Sequence, residues 1–323
     1  MPSRLARLAA AVSLALSASA GAIEEPPGSG PDPSHRTLNG HRFLPTETVD
    51  SPFTVTSAGL SLVLGLGSAV GPRYGVVGDP PALEVVGTHD YRFAGGGGYF
   101  RYDQRLADWI SLRARFGWAV FSGIDGPSAI AVGAAVRPAG SLGVTVGRDL
   151  GDAFRIAALV DLDYSPQLAI LVAEALAYAI ENQDLDIGQA FQQDNVLTVQ
   201  PGIAASWAPH RALGLTGTLQ YLGASLDTKE ESLQESGYVV GLLAELDLGA
   251  LTRVPVGVAL GARLAGPLGS GDLDTSRQWL LAVQYTGRPD LAIGVEMYWQ
   301  TFRVRPELDS DVQIAEIVMR YFW

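Results

Sequence analysis

Catalytic chemistry would have to be built here from very few of the usual groups. The 323 residues contain four histidines and no cysteine, which excludes thiol nucleophiles, disulfides and cysteine-based metal sites. His35 and His41 fall in or beside a Pro/Gly/Ser-rich stretch (EEPPGSGPDPSH), and His210 falls in the turn Ala208-Pro209-His210. His35 and His41 read as solvated loop residues rather than as a metal or catalytic pair. His89 is followed by Asp90, but adjacent residues on a strand point to opposite faces, so the pair is a poor acid–base couple. Carboxylates gather at Asp227, Glu230 and Glu231, at Asp272 and Asp274, and at Glu307, Asp309 and Asp311. They lack the spacing of a calcium loop, and no phosphate-cradling glycine loop is present. The sequence is read as having no catalytic residue, metal or cofactor.

A second set of charges has a regular place. Arg113, Arg115, Arg155, Arg263 and Arg320 alternate with apolar residues, as do Asp161, Asp163, Glu245, Asp247, Glu296 and Glu316. Alternation puts such charges on one face of a strand and the apolar residues on the other. If the strands close into a tube, these eleven residues line its inside. There they either form an arginine wall facing a carboxylate wall along a permeation path, or pair with one another and with an inserted loop, because buried charges need partners.

The elements that would hold them follow period two from about Pro52 to the end. Leu60, Leu62, Leu64 and Leu66 form one row. Ile110, Leu112, Ala114, Phe116, Trp118 and Val120 form the clearest. Twelve such segments are expected, with a connecting loop at GPRYGVVGDPP, a bulge or bend at Gly95–Gly98, and an ambiguous stretch at 123–140. The last, VQIAEIVMRYFW, puts Trp323, Tyr321, Met319, Ile317 and Ala315 on one face and Phe322, Arg320, Val318, Glu316 and Ile314 on the other.

A strand with one greasy face that ends the chain on an aromatic residue resembles the closing strand of Gram-negative outer-membrane β-barrels, whose usual last residue is Phe rather than Trp. The resemblance implies an all-β fold: a single antiparallel transmembrane barrel of about twelve strands over residues 51–323, with both termini in the periplasm. It also implies as partners outer-membrane lipid, lipopolysaccharide and the barrel-assembly machinery. Short and long connections alternate in the second half, as in such barrels. Trp109, Trp207 and Trp323 fall at one set of strand ends and Trp118, Trp279 and Trp299 towards the other, as two membrane-interface girdles would.

Residues 1–22 read as a secretory signal peptide, with Arg4 and Arg7 before an apolar run too short to span a bilayer. The net charge is −12, or about −14 once the leader is removed, which argues against a nucleic-acid partner. Residues 23–50 read as a flexible periplasmic arm or plug. After Pro166 the period changes, and 167–194 (QLAILVAEALAYAI and onward) reads as a helical insertion in an extracellular loop. Its Leu168, Leu171, Val172, Leu176 and Ile180 would plug the barrel or wall an apolar pocket. That plan is similar to the outer-membrane channels for fatty acids and hydrophobic compounds, although their fourteen strands and amino-terminal hatch are not seen in the sequence. The functional expectation is a channel for small, possibly hydrophobic, cargo. The alternatives are a structural or surface-interaction barrel with a closed lumen and, less favoured, a lipid hydrolase.

Overall fold

The computed structural model describes residues 34–77, 82–131, 133–170, 191–227, 232–252, 254–268, 275–305 and 308–323. A two-stranded hairpin, β1 (Thr37–Leu38) and β2 (His41–Arg42), precedes the barrel strands. These are β3 (Ser57–Val77), β4 (Ala82–Ala107), β5 (Ile110–Gly123), β6 (Ala134–Asp149), β7 (Phe154–Ile170), β8 (Phe191–His210), β9 (Leu213–Asp227), β10 (Ser232–Asp247), β11 (Val256–Pro267), β12 (Ser276–Tyr285), β13 (Leu291–Arg305) and β14 (Leu308–Phe322). Each pairs antiparallel with its sequence neighbours. β14 pairs with β3, so the twelve strands form a closed barrel. At the seam Met319 lies opposite Leu60, Ile317 opposite Leu62 and Ala315 opposite Leu64.

Period two explains the closure. The leucine row of β3 and the aromatic row of β14 are exposed on the outside, Leu64 at 70%. Ser61, Glu316, Val318, Arg320 and Phe322, on the alternate positions, are buried inside. An outer surface this apolar is unfavourable in water and favourable in lipid. All six tryptophans lie on it. Trp109, Trp207 and Trp323 sit at the end with the short turns, where Trp323 stacks on Tyr321 at 5.9 Å. Trp279 and Trp299 are cross-strand partners nearer the other end.

Several local expectations are corrected. Gly71–Val77 of the expected loop continues β3, and with β4 at 26 residues these strands run far beyond the 9–11 residues that a membrane crossing needs. Gly95–Gly98 is no bulge, since β4 keeps unbroken register there with both neighbours. A Cβ on Gly97 would lie 2.3 Å from the carbonyl oxygen of Trp118, so the sheet is pinched and only glycine fits. The 123–140 stretch holds both a short helix, α1 (Gly126–Ala131), and the start of β6. A helical insertion is therefore present, in the connection between β5 and β6. Gln167–Ile170, expected to be helical, instead extend β7 and pair with Phe191–Asp194 of β8. Leu168 points outward there and is exposed. Ladder pairing has overridden the helix propensity of Leu and Ala. Leu171, Val172, Leu176 and Ile180 lie outside the described residues.

Candidate functional site: the lumen and the segment seated in it

Residues 34–56 are not a solvated arm. Asn39 and Gly40, at φ 46° and 77°, make the two-residue turn that an Asn-Gly pair favours and join β1 to β2. The turn is fixed to the short-turn end of the barrel. Asn39 N donates to the Asp152 carbonyl at 2.8 Å and Asn39 Nδ2 to the Ala208 carbonyl at 3.0 Å. The chain then passes through the lumen to reach Ser57.

The lumen has two unlike walls, and the segment has a side for each. On the apolar side Leu44 and Val49 pack against Leu243, Ala259, Leu280, Ala282 and Tyr298 of β10–β13. Phe43, Phe53 and Val55 pack with Leu38, Ala208, Ala292 and Phe322. Burying a side chain of this size is worth about 1.5–3 kcal/mol. Missing side chains on the wall make the room. A Cβ on Gly257 would come within 2.8 Å of Leu44, one on Gly214 within 2.4 Å of His41 Nε2, and one on Gly147 within 2.9 Å of the Pro52 carbonyl. His41, expected in solvent, is fully buried, edge-on to Phe43 at 4.7 Å and 3.9 Å from Glu245.

On the charged side two carboxylates of the segment face the arginines. Glu47 receives Arg101 at 3.1 Å, Arg115 at 2.9 Å and, closest, Arg320. Burial alone would raise the Glu47 carboxyl, but Arg320, Arg101 and Arg115 outweigh it and hold it below the usual range. Asp50 receives Arg113 at 2.8 Å and Gln220 at 3.1 Å. Its carboxyl is likewise held down against burial by Arg113, Arg101 and Arg115. Backbone donors complete the seat, since Leu44 N donates to Glu245 and Glu47 N to Glu296.

The eleven charges singled out by alternation distribute as follows. Arg113, Arg115, Arg320, Glu245 and Glu296 bind the segment directly. Arg155 donates to the Pro52 carbonyl and Thr54, and pairs with Asp149. Asp161 shares Arg113 at 3.3 Å. Glu316 accepts from Tyr99 and Tyr298. Asp163 accepts from Gln200 at 2.9 Å and Thr198 at 3.3 Å. Asp247 instead caps the turn after β10, accepting from Gly249 N and Thr286. Arg263 is half-buried and has no ion-pair partner among the described residues. Seven of the eleven thus contact the inserted segment 43–56 or a charge that does, whereas Glu316, Asp163, Asp247 and Arg263 do not among the described residues.

Alternation on the second strand also reaches Tyr99, Arg101 and Asp103, which the sequence reading did not single out. Glu47 and Asp50 carried no periodic signal at all. Elsewhere His89 packs edge-on to Tyr91 at 5.2 Å, away from Asp90.

Above the seated segment, towards the long-connection end, the lumen opens into a cavity of about 530 Å³. It is bounded by the inner faces of β3 to β7 and β14.

No family model and no curated protein matches the chain. Solved structures do. The translocator domain of the autotransporter NalP from Neisseria meningitidis aligns over 83% of this chain and 88% of its own, at 13% identity and a TM-score of 0.51. The transport unit of the autotransporter AIDA-I from Escherichia coli aligns over 88% and 95%, at 10% identity and 0.51. An outer-membrane channel from Pseudomonas putida F1 aligns over 87% and 100%, at 10% identity and 0.48. With its apolar exterior and filled, charged interior, the chain has the fold of an outer-membrane β-barrel, closed by twelve antiparallel strands.

Proposed function

We propose that the protein is an outer-membrane channel for small molecules whose lumen is closed by its own amino-terminal segment, with both termini in the periplasm. The observation that carries this reading is the seat of Glu47. Three arginines from β4, β5 and β14 converge on one carboxylate of a segment that is otherwise free of the sheet ladder. Buried ion pairs are poor permanent filler compared with well-packed apolar side chains. A segment serving only to fill the barrel would be apolar on both sides, whereas this one is held on one side by contacts that water or another anion can replace. Among the described residues the segment fills the short-turn end, and beyond it lies the cavity bounded by β3 to β7 and β14, as a gated path requires.

A second reading, a barrel with a permanently closed lumen, draws support from the two apolar clusters around Phe43, Phe53, Leu44 and Val49. Planar-bilayer conductance separates the two. The full protein is expected to open rarely, and a variant lacking 34–56 to conduct continuously. A variant lacking 171–190, the candidate apolar wall at the mouth, is expected to stay closed. Opening in that variant instead would make the loop the plug, and silence in all three would leave the closed structural barrel.

A further inference from the structure

We propose that the vestibule above the seated segment is a binding site for a small planar organic monoanion: a ring carrying one carboxylate or sulfonate. The shape points to a ring. Gly95 and Gly97 of β4 and Gly117 of β5 face the cavity in one patch, so part of its wall is bare peptide backbone. A Cβ at any of the three would lie within 2.7 Å of a neighbouring strand, so this wall has to stay flat. Phe93, Phe121 and Tyr99 border it. A flat wall edged by aromatic side chains accepts a flat ligand by its face, and about 530 Å³ is within the usual range for small-molecule pockets.

The charges point to a single negative group. Arg137 lines the cavity, and its one bond among the described residues runs from Nε to the Ser165 hydroxyl at 2.6 Å. Pro138 and the carbonyl bond from Ser165 hold this corner, where β6 drops out of register contact with β7 between Val136 and Gly140. Among the described residues, four of the five guanidinium donors of Arg137 are left for an oxyanion. Arg115 is the second cation. Its side chain is 32% exposed, against 7% and 5% for the other two arginines on Glu47, and its Nε is buried without a partner among the described residues. Asp163 is the carboxylate in the lining, where it accepts from Gln200 and Thr198. The lining thus holds two cations, Arg115 and Arg137, and one carboxylate, Asp163, which leaves it one net positive charge. A monoanion matches that charge, while a dianion would meet Asp163.

The test is equilibrium binding of benzoate, benzamide and benzylammonium to the full-length protein in detergent. No conduction is involved, so the site and the channel reading stand or fall separately. Benzoate is expected to bind about tenfold tighter than its neutral isostere, as one charge-assisted contact implies, and benzylammonium not at all. Arg137→Gln should abolish the preference while leaving benzamide binding unchanged, and Arg137→Lys should restore part of it. Phe121→Ala should weaken both ligands. Arg137 takes no part in seating the amino-terminal segment, so the variant is expected to keep the barrel's heat-modifiable gel mobility. Equal affinity for benzoate and benzamide, a preference that survives Arg137→Gln, or no saturable binding of any probe would overturn the proposal.

Discussion

Glu47→Gln preserves the shape of the side chain and removes the charge that three arginines share. The consequences differ among them. Arg101 keeps Asp103, which it holds through Nε at 2.9 Å and a second nitrogen at 3.2 Å. Arg320 is 5% exposed and loses its one carboxylate ion pair among the described residues. Breaking a buried pair in this way costs about 3–5 kcal/mol, because the remaining charge stays uncompensated. Arg115 is a third exposed and adds at most about 1 kcal/mol. The apolar anchors Phe43, Leu44, Val49 and Phe53 are untouched and keep the segment in the lumen for most of the time. The balance should therefore move by roughly 3 kcal/mol, or about two orders of magnitude in the unseated fraction. Single-channel recording reads this as open probability, and the variant should open about a hundred times more often than wild type at the same unit conductance. A correctly folded variant with unchanged open probability would refute the argument that the arginine seat holds the channel shut.

The wall glycines supply a steric counterpart. Gly257→Val places atoms where Leu44 sits, 2.8 Å from the new Cβ, and should raise amide exchange across 43–50 while exchange in β5–β7 stays unchanged. Acid should act as Glu47→Gln does. A carboxyl held low when seated contributes its stability above its ordinary value and loses it as pH falls through the lower, seated one. Open probability should therefore stay flat down to about the ordinary glutamate value of 4.5 and rise below it, and Glu47→Gln should reduce that rise to the part that Asp50 supplies.

The strands could be read because period two is local and each outward row declares itself within a few residues. Leu60–Leu66 and the closing row at Ile317–Trp323 locate the seam without any knowledge of its partner. The same parity reached Arg113, Arg115, Arg155, Arg320, Glu245 and Glu296, which contact the seated segment, whereas Asp247 is drawn into a turn. The occupant of the lumen was much harder to read, since nothing local marks it. Glu47 meets Arg320 across 273 positions and Leu44 meets Glu245 across 201, while the segment between them has neither helix nor strand rhythm. One local signal did exist, the Asn39-Gly40 turn, and it predicts a hairpin where the composition suggests a loose arm. The helix expected from 167 failed at its described ends because Leu168 and Ile170 also satisfy period two, and the strand partners in β8 decide between the two patterns.

The position of Glu47 between both ends of the barrel bears on how the molecule is assembled. Arg101 and Arg115 lie 54 and 68 residues away, on the first hairpins, whereas Arg320 lies on the final strand. Non-local contacts of this kind reward the chain only after the entropy of the intervening loop has been lost. A half-built sheet can therefore offer Glu47 two of its three cations, and the third arrives with the last strand. Phe322 joins Phe43 and Phe53 in one cluster, and Trp323 N bonds the Thr56 carbonyl. The strand that closes the seam thus also completes the charge balance of the segment that the barrel encloses.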